Sequence, residues 1–456
     1  MSRLPRGARR GLAVLVLLLA GAAGFVLVRA QGGPAGPVIL TLWHNPTGHG
    51  QDALSAAVER FNRSLGRERG IAVLVASVAR AEIIHEKLLS IAAEEPGAPE
   101  APDMVVAYPK SVLPLIGRGR MVPLDERFTR SELAAYVPSF IEAGRIQGRK
   151  LWSFPIGRGT ECLILNRTLW DRFAEATGAS LSELGTLEGL ARAAAKYHQW
   201  TNGRMFFMVD NPFNLLQAAM AQMGEEPFVE GRLNTASPVY ERVWRLLFEP
   251  AAKGRAAIYR GYGTDLARAG MILCWTSATA GVSFLPDRVV YPDNTSEPVE
   301  FQILPFPVLE GCKEKVAILR SGGLSLFRSD RRREAAAATF LKWLTAPEEN
   351  LRYIQGTGYL PVTNRAMETA RRTWGEGASG VWASCVETMA LMEREYRLLP
   401  QSPLPDYGEM ELRYEGRLRE LAAEVRDRYR KETAEERTEE EAWRRASEGA
   451  YERFLR

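Results

Sequence analysis

The chain is poor in the residues that metal and redox chemistry require: four cysteines and four histidines in 456 residues. Cys162, Cys274, Cys312 and Cys385 lie far apart and form no C-x-x-C pair, so a zinc knuckle or dithiol centre has little support. His44 and His49 sit in one loop stretch with no third ligand nearby, a weak case for a metal. There is no Walker loop, dinucleotide fingerprint, G-x-S-x-G or H-E-x-x-H. Glu161, Asp210 and Asp265 are not spaced as the carboxylate pair that glycoside hydrolysis needs. No cofactor, no metal and no turnover are therefore expected. A strong excess of one charge is lacking too. The net charge is +4 and no basic cluster is interleaved with aromatics, which argues against a nucleic-acid partner.

Long apolar runs are absent but for one. Arg3, Arg6, Arg9 and Arg10 precede a charge-free stretch from Gly11 to Val28, the basic and apolar regions of an export signal. Val28-Arg29-Ala30 offers small residues for cleavage, with Gln31 as the mature start. The run is also about as long as the shortest membrane spans, so an uncleaved anchor through residues 11–28 is the alternative. Both readings place the body outside the cytoplasm. Export permits disulfides, and four cysteines allow three pairings that sequence does not rank. No cysteine lies near the end of the run to carry lipid.

What is present is a folded chain of two or three domains: 46% hydrophobic and 25% charged residues, over a length too great for one core. Residues 31–37 form a Gly/Pro linker. Thereafter strand and helix alternate. Val38–Trp43, Ile71–Val78 and Met104–Val106 read as strands; Gln51–Leu65, Ala81–Ala93 and a short helix from Lys110 to Leu115 intervene. Further on, helices are expected at Arg167–Thr177, Thr186–Gln199, Leu215–Met223, Val239–Pro250, Arg331–Thr345 and Pro347–Gly356, with a buried strand at Gly270–Trp275. From Gly408 onward the chain is mostly charged helix, with Trp443, Ala446, Ala450, Tyr451 and Phe454 marking an apolar face that docks it. This alternation is the mark of an α/β fold with largely parallel sheets. In mid-chain, the apolar runs Leu151–Ile156 and Cys162–Leu165 flank Gly157-Arg158-Gly159-Thr160. They form either a hairpin or a strand that leaves one lobe for another.

The order of motifs resembles the extracellular solute-binding proteins of ABC importers, in the carbohydrate group that includes the maltose-binding and glycerol-3-phosphate-binding proteins. VILTLWHNPTG at Val38–Gly48, APDMVVAYPKS at Ala101–Ser111 and LWSFPIGRGTECLILNRTLWD at Leu151–Asp171 carry the resemblance. So do AGMILCWTSATAG at Ala269–Gly281, SGGLSLF with AAATFLKWLTAPEE between Ser321 and Glu349, and TGYLPVTN at Thr357–Asn364. The resemblance covers the chain from Val38 to Arg456 and implies a two-lobed, type II periplasmic-binding-protein-like fold with crossing hinge strands and a C-terminal helical region. It implies a first lobe of residues 38–155 and 303–346, and a second of 156–302 and 347–456. The crossings would be the mid-chain stretch, Phe301–Phe306 and Thr345–Pro347. A monomer that closes on its solute and docks to permease subunits follows from the same likeness; a sensor role with a receptor as partner stays open.

Two departures shape the expected solute. No lipobox cysteine follows the signal. In the glycerol-phosphate branch a tyrosine precedes an acidic residue after the second strand, where this chain has Ile83-Ile84 and then His85, and that branch's C-terminal arginine has no match near Leu404–Met410. A sugar or oligosaccharide is preferred to a phosphate ester. Sugars offer C–H faces and hydroxyl edges, so their sites combine aromatic rings, short polar groups and backbone amides. The residues in family position with that chemistry are Trp43, His44 and Tyr108 from the first lobe and Arg158 from the crossing. Asn211, Phe213, Asn214, Trp275, Thr276 and Ser277 are those of the second lobe, with Gly322, Gly323 and Tyr359 from later turns. Core packing is the competing role for each aromatic, and bridging of the lobes for Arg158. Two other classes compete: a carbohydrate-active enzyme, and a membrane-anchored scaffold that the motif order does not explain.

Overall fold

The computed structural model describes residues 36–45, 53–78, 81–320, 322–355, 357–375, 380–402, 404, 406–435 and 437–456. The N-terminal apolar run, His49 and Ser321 lie outside the described residues.

Eleven strands matter for the site. In chain order they are β1 (Val38–His44), β2 (Ile71–Ser77), β3 (Met104–Ala107), β4 (Glu161–Asn166), β5 (Phe207–Val209), β6 (Ala256–Ala257), β7 (Cys274–Ala278), β8 (Phe301–Leu304), β9 (Val316–Ile318), β10 (Gly323–Leu326) and β11 (Arg397–Leu399). The first sheet has the order β10-β3-β1-β2, parallel except for β10. The second has the order β8-β4-β7-β5-β6, with β4 antiparallel to both neighbours and β5 parallel to β7 and β6. β9 and β11 pair separately in parallel. Each sheet is covered by helices, as buried parallel strands require.

The helices used below are α1 (Ala53–Arg63), α2 (Ala81–Ala93), α3 (Pro109–Gly117), α4 (Arg167–Thr177), α5 (Leu187–Trp200), α6 (Pro212–Gln222), α7 (Pro238–Ala252), α8 (Arg331–Leu344), α9 (Pro347–Ile354), α10 (Asn364–Ala370), α11 (Val381–Glu395), α12 (Tyr407–Ala434), α13 (Glu439–Ala446) and α14 (Ala450–Leu455). α4 starts where Asn166 accepts the Leu169 N–H and stops at Gly178, whose positive φ of 68° suits a left-handed cap. α6 begins with the pair Asn211–Pro212, where the Asn211 side chain accepts from the Asn214 N–H and proline occupies the first turn. Phe61 of α1 and Phe340 of α8 are fully buried edge to face, with centroids 5.0 Å apart, beside one face of the first sheet. α2 and α3 cover the other face through Ile84, Leu88, Val112 and Leu115.

Several expectations are corrected. Leu151–Ile156 is not a strand: it makes isolated bridges at Leu151 and Phe154 only, consistent with the missing donor of Pro155. The buried strand placed at Gly270–Trp275 begins at Cys274 and runs on to Ala278, so Thr276 and Ser277 lie within it. Phe301–Leu304 does not return to the first sheet. It pairs antiparallel with Asn166–Leu163 as an outer strand of the second, and α11 closes over it through the Thr388 hydroxyl, which donates to the Ile303 carbonyl at 2.8 Å. The first sheet resumes only at β10. Nor does the chain cross at Thr345–Pro347. Glu349 of α9 accepts from Arg60 of α1 at 2.7 Å, and Asn350 ties Ile156 to Val362 through hydrogen bonds of 2.7 and 2.9 Å. Thr363 then bridges to Tyr136. α9 and α10 therefore pack on the first-sheet side. The four cysteines are all free thiols.

The C-terminal helices dock as expected. Tyr414, Leu418, Leu421 and Val425 of α12 and Phe454 of α14 are buried in the core that contains Phe213, Trp244 and Phe248.

Candidate functional site

Beside the crossing, at the ends of the first-sheet strands, lies a cleft with a cavity volume of about 60 Å³, formed by His44 and Asn45 at the end of β1, Ala107 and Tyr108 at the end of β3, Gly157 in the crossing, Gly322 before β10, and Tyr353 with Tyr359. Strand ends meeting a crossing segment are where open α/β folds bind their ligands. The crossing itself is held by bridges from Arg158 to Leu360 and Thr160 to Leu319. Tyr359 lies against it. A Cβ on Gly157 would meet the Tyr359 ring at 3.1 Å and one on Gly159 would meet it at 3.1 Å; glycine is what lets the ring approach the backbone. Gly358 supports the same turn with φ +72°.

Four of the residues named from sequence line this cleft: His44, Tyr108, Gly322 and Tyr359. His44 is nearly buried and its Nε2 lies 3.3 Å from the Ser77 hydroxyl. Trp43 points to the other face of the strand, where the Lys87 ammonium sits 5.4 Å from its ring centroid. Gly323 is buried inside β10, and a Cβ there would fall 2.1 Å from the Ser153 hydroxyl. Arg158 is buried beneath the cleft and donates to the Phe140 carbonyl at 3.2 Å; burial pulls its guanidinium pKa down to about 10.

The second-lobe expectations divide. Phe213 and Trp275 are fully buried and present no open ring face. Phe213 packs edge to face on Tyr407, and Trp275 on Phe301, with Gly263 pressed so close that a Cβ would lie 2.5 Å from the indole. Asn214 is also fully buried: its amide donates to Glu161 and its carbonyl accepts from the Tyr407 hydroxyl, both at 2.8 Å. Thr276 and Ser277 are buried strand residues. Asn211 is half-buried, and its side chain caps α6 while donating to Glu411 at 2.7 Å.

What sequence reasoning missed is a charged network behind and beside the cleft. Glu161 begins β4 and lies 3.7 Å from Arg320, two residues beyond the end of β9. Burial pushes the Glu161 carboxyl up to about 7 despite Arg320 and the Asn214 amide. Asp210 accepts from the Gly263 N–H at 2.7 Å, and burial pushes it up to about 6 against that hydrogen bond and one from Ser277. Tyr407 also accepts from Gln217 at 2.9 Å. Glu411 on α12 faces Lys110 on α3 at 3.5 Å. A signal existed for two of these: Glu161 and Arg320 are charged residues set directly against apolar strands, where a charge must be partnered. Tyr407 and Glu411 gave none, being some 200 residues from Asn211 and Asn214 in sequence. Among the described residues no group of three or more His, Cys, Asp or Glu is arranged to hold a metal ion.

Two α/β lobes joined by crossing segments define a periplasmic-binding-protein fold. Residues 56–373 match the model of the bacterial extracellular solute-binding proteins, and the chain belongs to that family. Similar solved structures include the cyclic α-maltosyl-1,6-maltose-binding protein of Arthrobacter globiformis, at TM-score 0.63 and 20% identity over 92% of this chain and 99% of that one. Maltose-bound MalE3 of T. maritima is similar at TM-score 0.65 and 15% identity, over 92% and 100% of the two chains. UgpB of Mycobacterium tuberculosis, in complex with glycerophosphocholine, is similar at TM-score 0.66 and 15% identity, over 92% and 99%. No curated protein sequence matches the chain.

Proposed function

We propose that the chain is the solute receptor of an ABC importer, capturing a sugar or oligosaccharide between its lobes and presenting it to permease subunits at the outer face of the membrane. The observation that carries this reading is the composition of the cleft. Tyr108, Tyr353 and Tyr359 supply ring faces and hydroxyls, and His44, Asn45 and Ser111 supply short polar groups, around a hinge backbone bared by Gly157 and Gly322. That mixture suits a ligand with alternating C–H faces and hydroxyls. The similar structures that hold maltose and related glucans support it as well. The hinge we assign comprises Phe154–Thr160, the return between Ile318 and Gly323, and a third connection beyond Ala370. Binding by closure, with no turnover, is the mechanism: solute contacts made only in the closed form shift the lobes toward it.

A second reading, a polyol phosphate or phosphodiester, draws on Arg320 in the cleft network and on the likeness to UgpB. Carboxylates at Glu161, Asp210 and Glu411 surround that arginine and weigh against an anion.

Thermal unfolding of the purified chain against maltose, maltotriose, cyclic glucans, glycerol-3-phosphate and glycerophosphocholine tests both. At hundredfold excess over Kd a bound solute stabilises the native state by about 2.7 kcal/mol. A saturable rise with the glucans supports the first reading. A rise with the phosphates alone sinks it in favour of the second.

A further inference from the structure

Lys110 occupies the first turn of α3, directly after Tyr108 and Pro109. A cation there faces the positive end of the helix dipole and is locally unfavourable. Its ammonium is held across the cleft instead, 3.5 Å from a Glu411 oxygen and 5.6 Å from the Tyr407 ring centroid. Lys110 belongs to the helix layer of the first sheet, where Val112 and Leu115 pack on Ile84 and Leu88. Glu411 and Tyr407 belong to α12, whose Leu418 and Val425 lie in the second-lobe core. Glu411 is itself aimed: its other oxygen accepts from Asn211, the cap of α6. Both partners are mostly buried, with side chains 24% and 18% exposed.

From this geometry we infer that Lys110 and Glu411 form a cross-cleft latch, which favours the closed arrangement of the lobes before solute arrives and makes α12 a working wall of the site. Asn211 is its positioning residue, holding the Glu411 carboxylate toward the first lobe. The latch rests on the reading of the molecule as a two-lobed binding protein, but its action requires no knowledge of the solute. It adds an attraction between lobes that the hinge segments do not supply, and salt weakens it as it weakens any partly exposed ion pair.

The test uses the full chain without solute. Spectroscopic labels at exposed Arg118 and Glu175, attached through ketone-bearing residues so that the native cysteines are untouched, report the interlobe distance. Lys110→Met and Glu411→Gln each lower the closed-to-open ratio about threefold. The glutamine keeps an acceptor for Asn211, so the loss reports the charge rather than a collapsed wall. The double variant falls no further than either single one, because the two act through one contact. Unchanged distance distributions in both single variants overturn the latch, as do effects that simply add. Since no solute enters the measurement, a failed latch leaves the assignment of the cleft untouched, and a failed solute panel leaves the latch standing.

Discussion

At the residue scale, two side chains separate the roles of the cleft. Tyr359 lies against the hinge glycines with part of its surface open, so it is the ring best placed to meet solute as the lobes close. Tyr359→Ala should weaken binding of the solute found by the thermal panel at least about tenfold, or about 1.4 kcal/mol. Calorimetric titration checks this, and an unaltered Kd would take Tyr359 out of the site. Glu161 works differently. Its carboxyl ionises near pH 7 in the folded chain and near 4.5 when unfolded. Below about pH 4.5 both states hold the proton and nothing is lost. Between the two values the folded state binds more protons than the unfolded one, so stability falls as pH rises through this window, by roughly 3 kcal/mol. Glu161→Gln should flatten the fall; urea titrations at pH 5, 6, 7 and 8 measure it. Parallel curves for both proteins would show that Glu161 is not the titrating group.

At the element scale, pattern reading succeeded where one element carries its own signal. α4 was legible to the residue, because Asn166 and Gly178 punctuate it and Leu169, Trp170 and Phe173 fall on one face. Where pairing partners decide, it failed. Leu151–Ile156 has the apolar content of a strand, yet its neighbours allow only bridges. The family resemblance implies a crossing at Phe301–Phe306, but hydrogen bonding of Phe301–Leu304 to β4 holds it in the second sheet. Of the cleft whose role in binding we propose, the lining near strand ends and turns was legible: His44 ends β1, and Tyr108, Gly322 and Tyr359 lie beside strand ends or in glycine turns. Phe213 and Trp275 were not distinguishable from ligand platforms, since a buried ring and a stacking ring have the same sequence neighbourhood. The turn before Tyr359 makes a sharp prediction. Gly358 has φ +72°, and a Cβ would lie 2.1 Å from the Thr279 carbonyl oxygen, a backbone atom that cannot swing aside. Gly358→Ala should cost about 2 kcal/mol or more in denaturant unfolding, exceeding the roughly 1 kcal/mol of left-handed strain alone. A loss below about 0.5 kcal/mol would mean that the turn yields more readily than its packing indicates.

At the scale of the whole molecule, the C-terminal helices are structural members of the core that contains α6 and α7. Tyr407, Tyr414, Leu418, Leu421, Val425 and Phe454 are all buried against α6 and α7. At about 1.5–3 kcal/mol for each large apolar side chain, their burial is worth on the order of 10 kcal/mol, comparable with the entire net stability of a typical domain. The same segment satisfies polar groups inside the core, since Tyr407 serves both Asn214 and Gln217. A chain ending at Asp406 would bare the rings of Phe213, Trp244 and Phe248 and take the Tyr407 hydroxyl away from both Asn214 and Gln217. It should therefore lose cooperative unfolding of the second lobe, and calorimetry would record one transition, from the first lobe, where the full chain shows more heat absorbed. The core formed by α2, α3 and one face of the first sheet is separate from the one that α12 completes, so it is not directly bared by the truncation. A truncated chain that melted with the full enthalpy would show α12 to be an appendage, and with it the latch would lose its anchor.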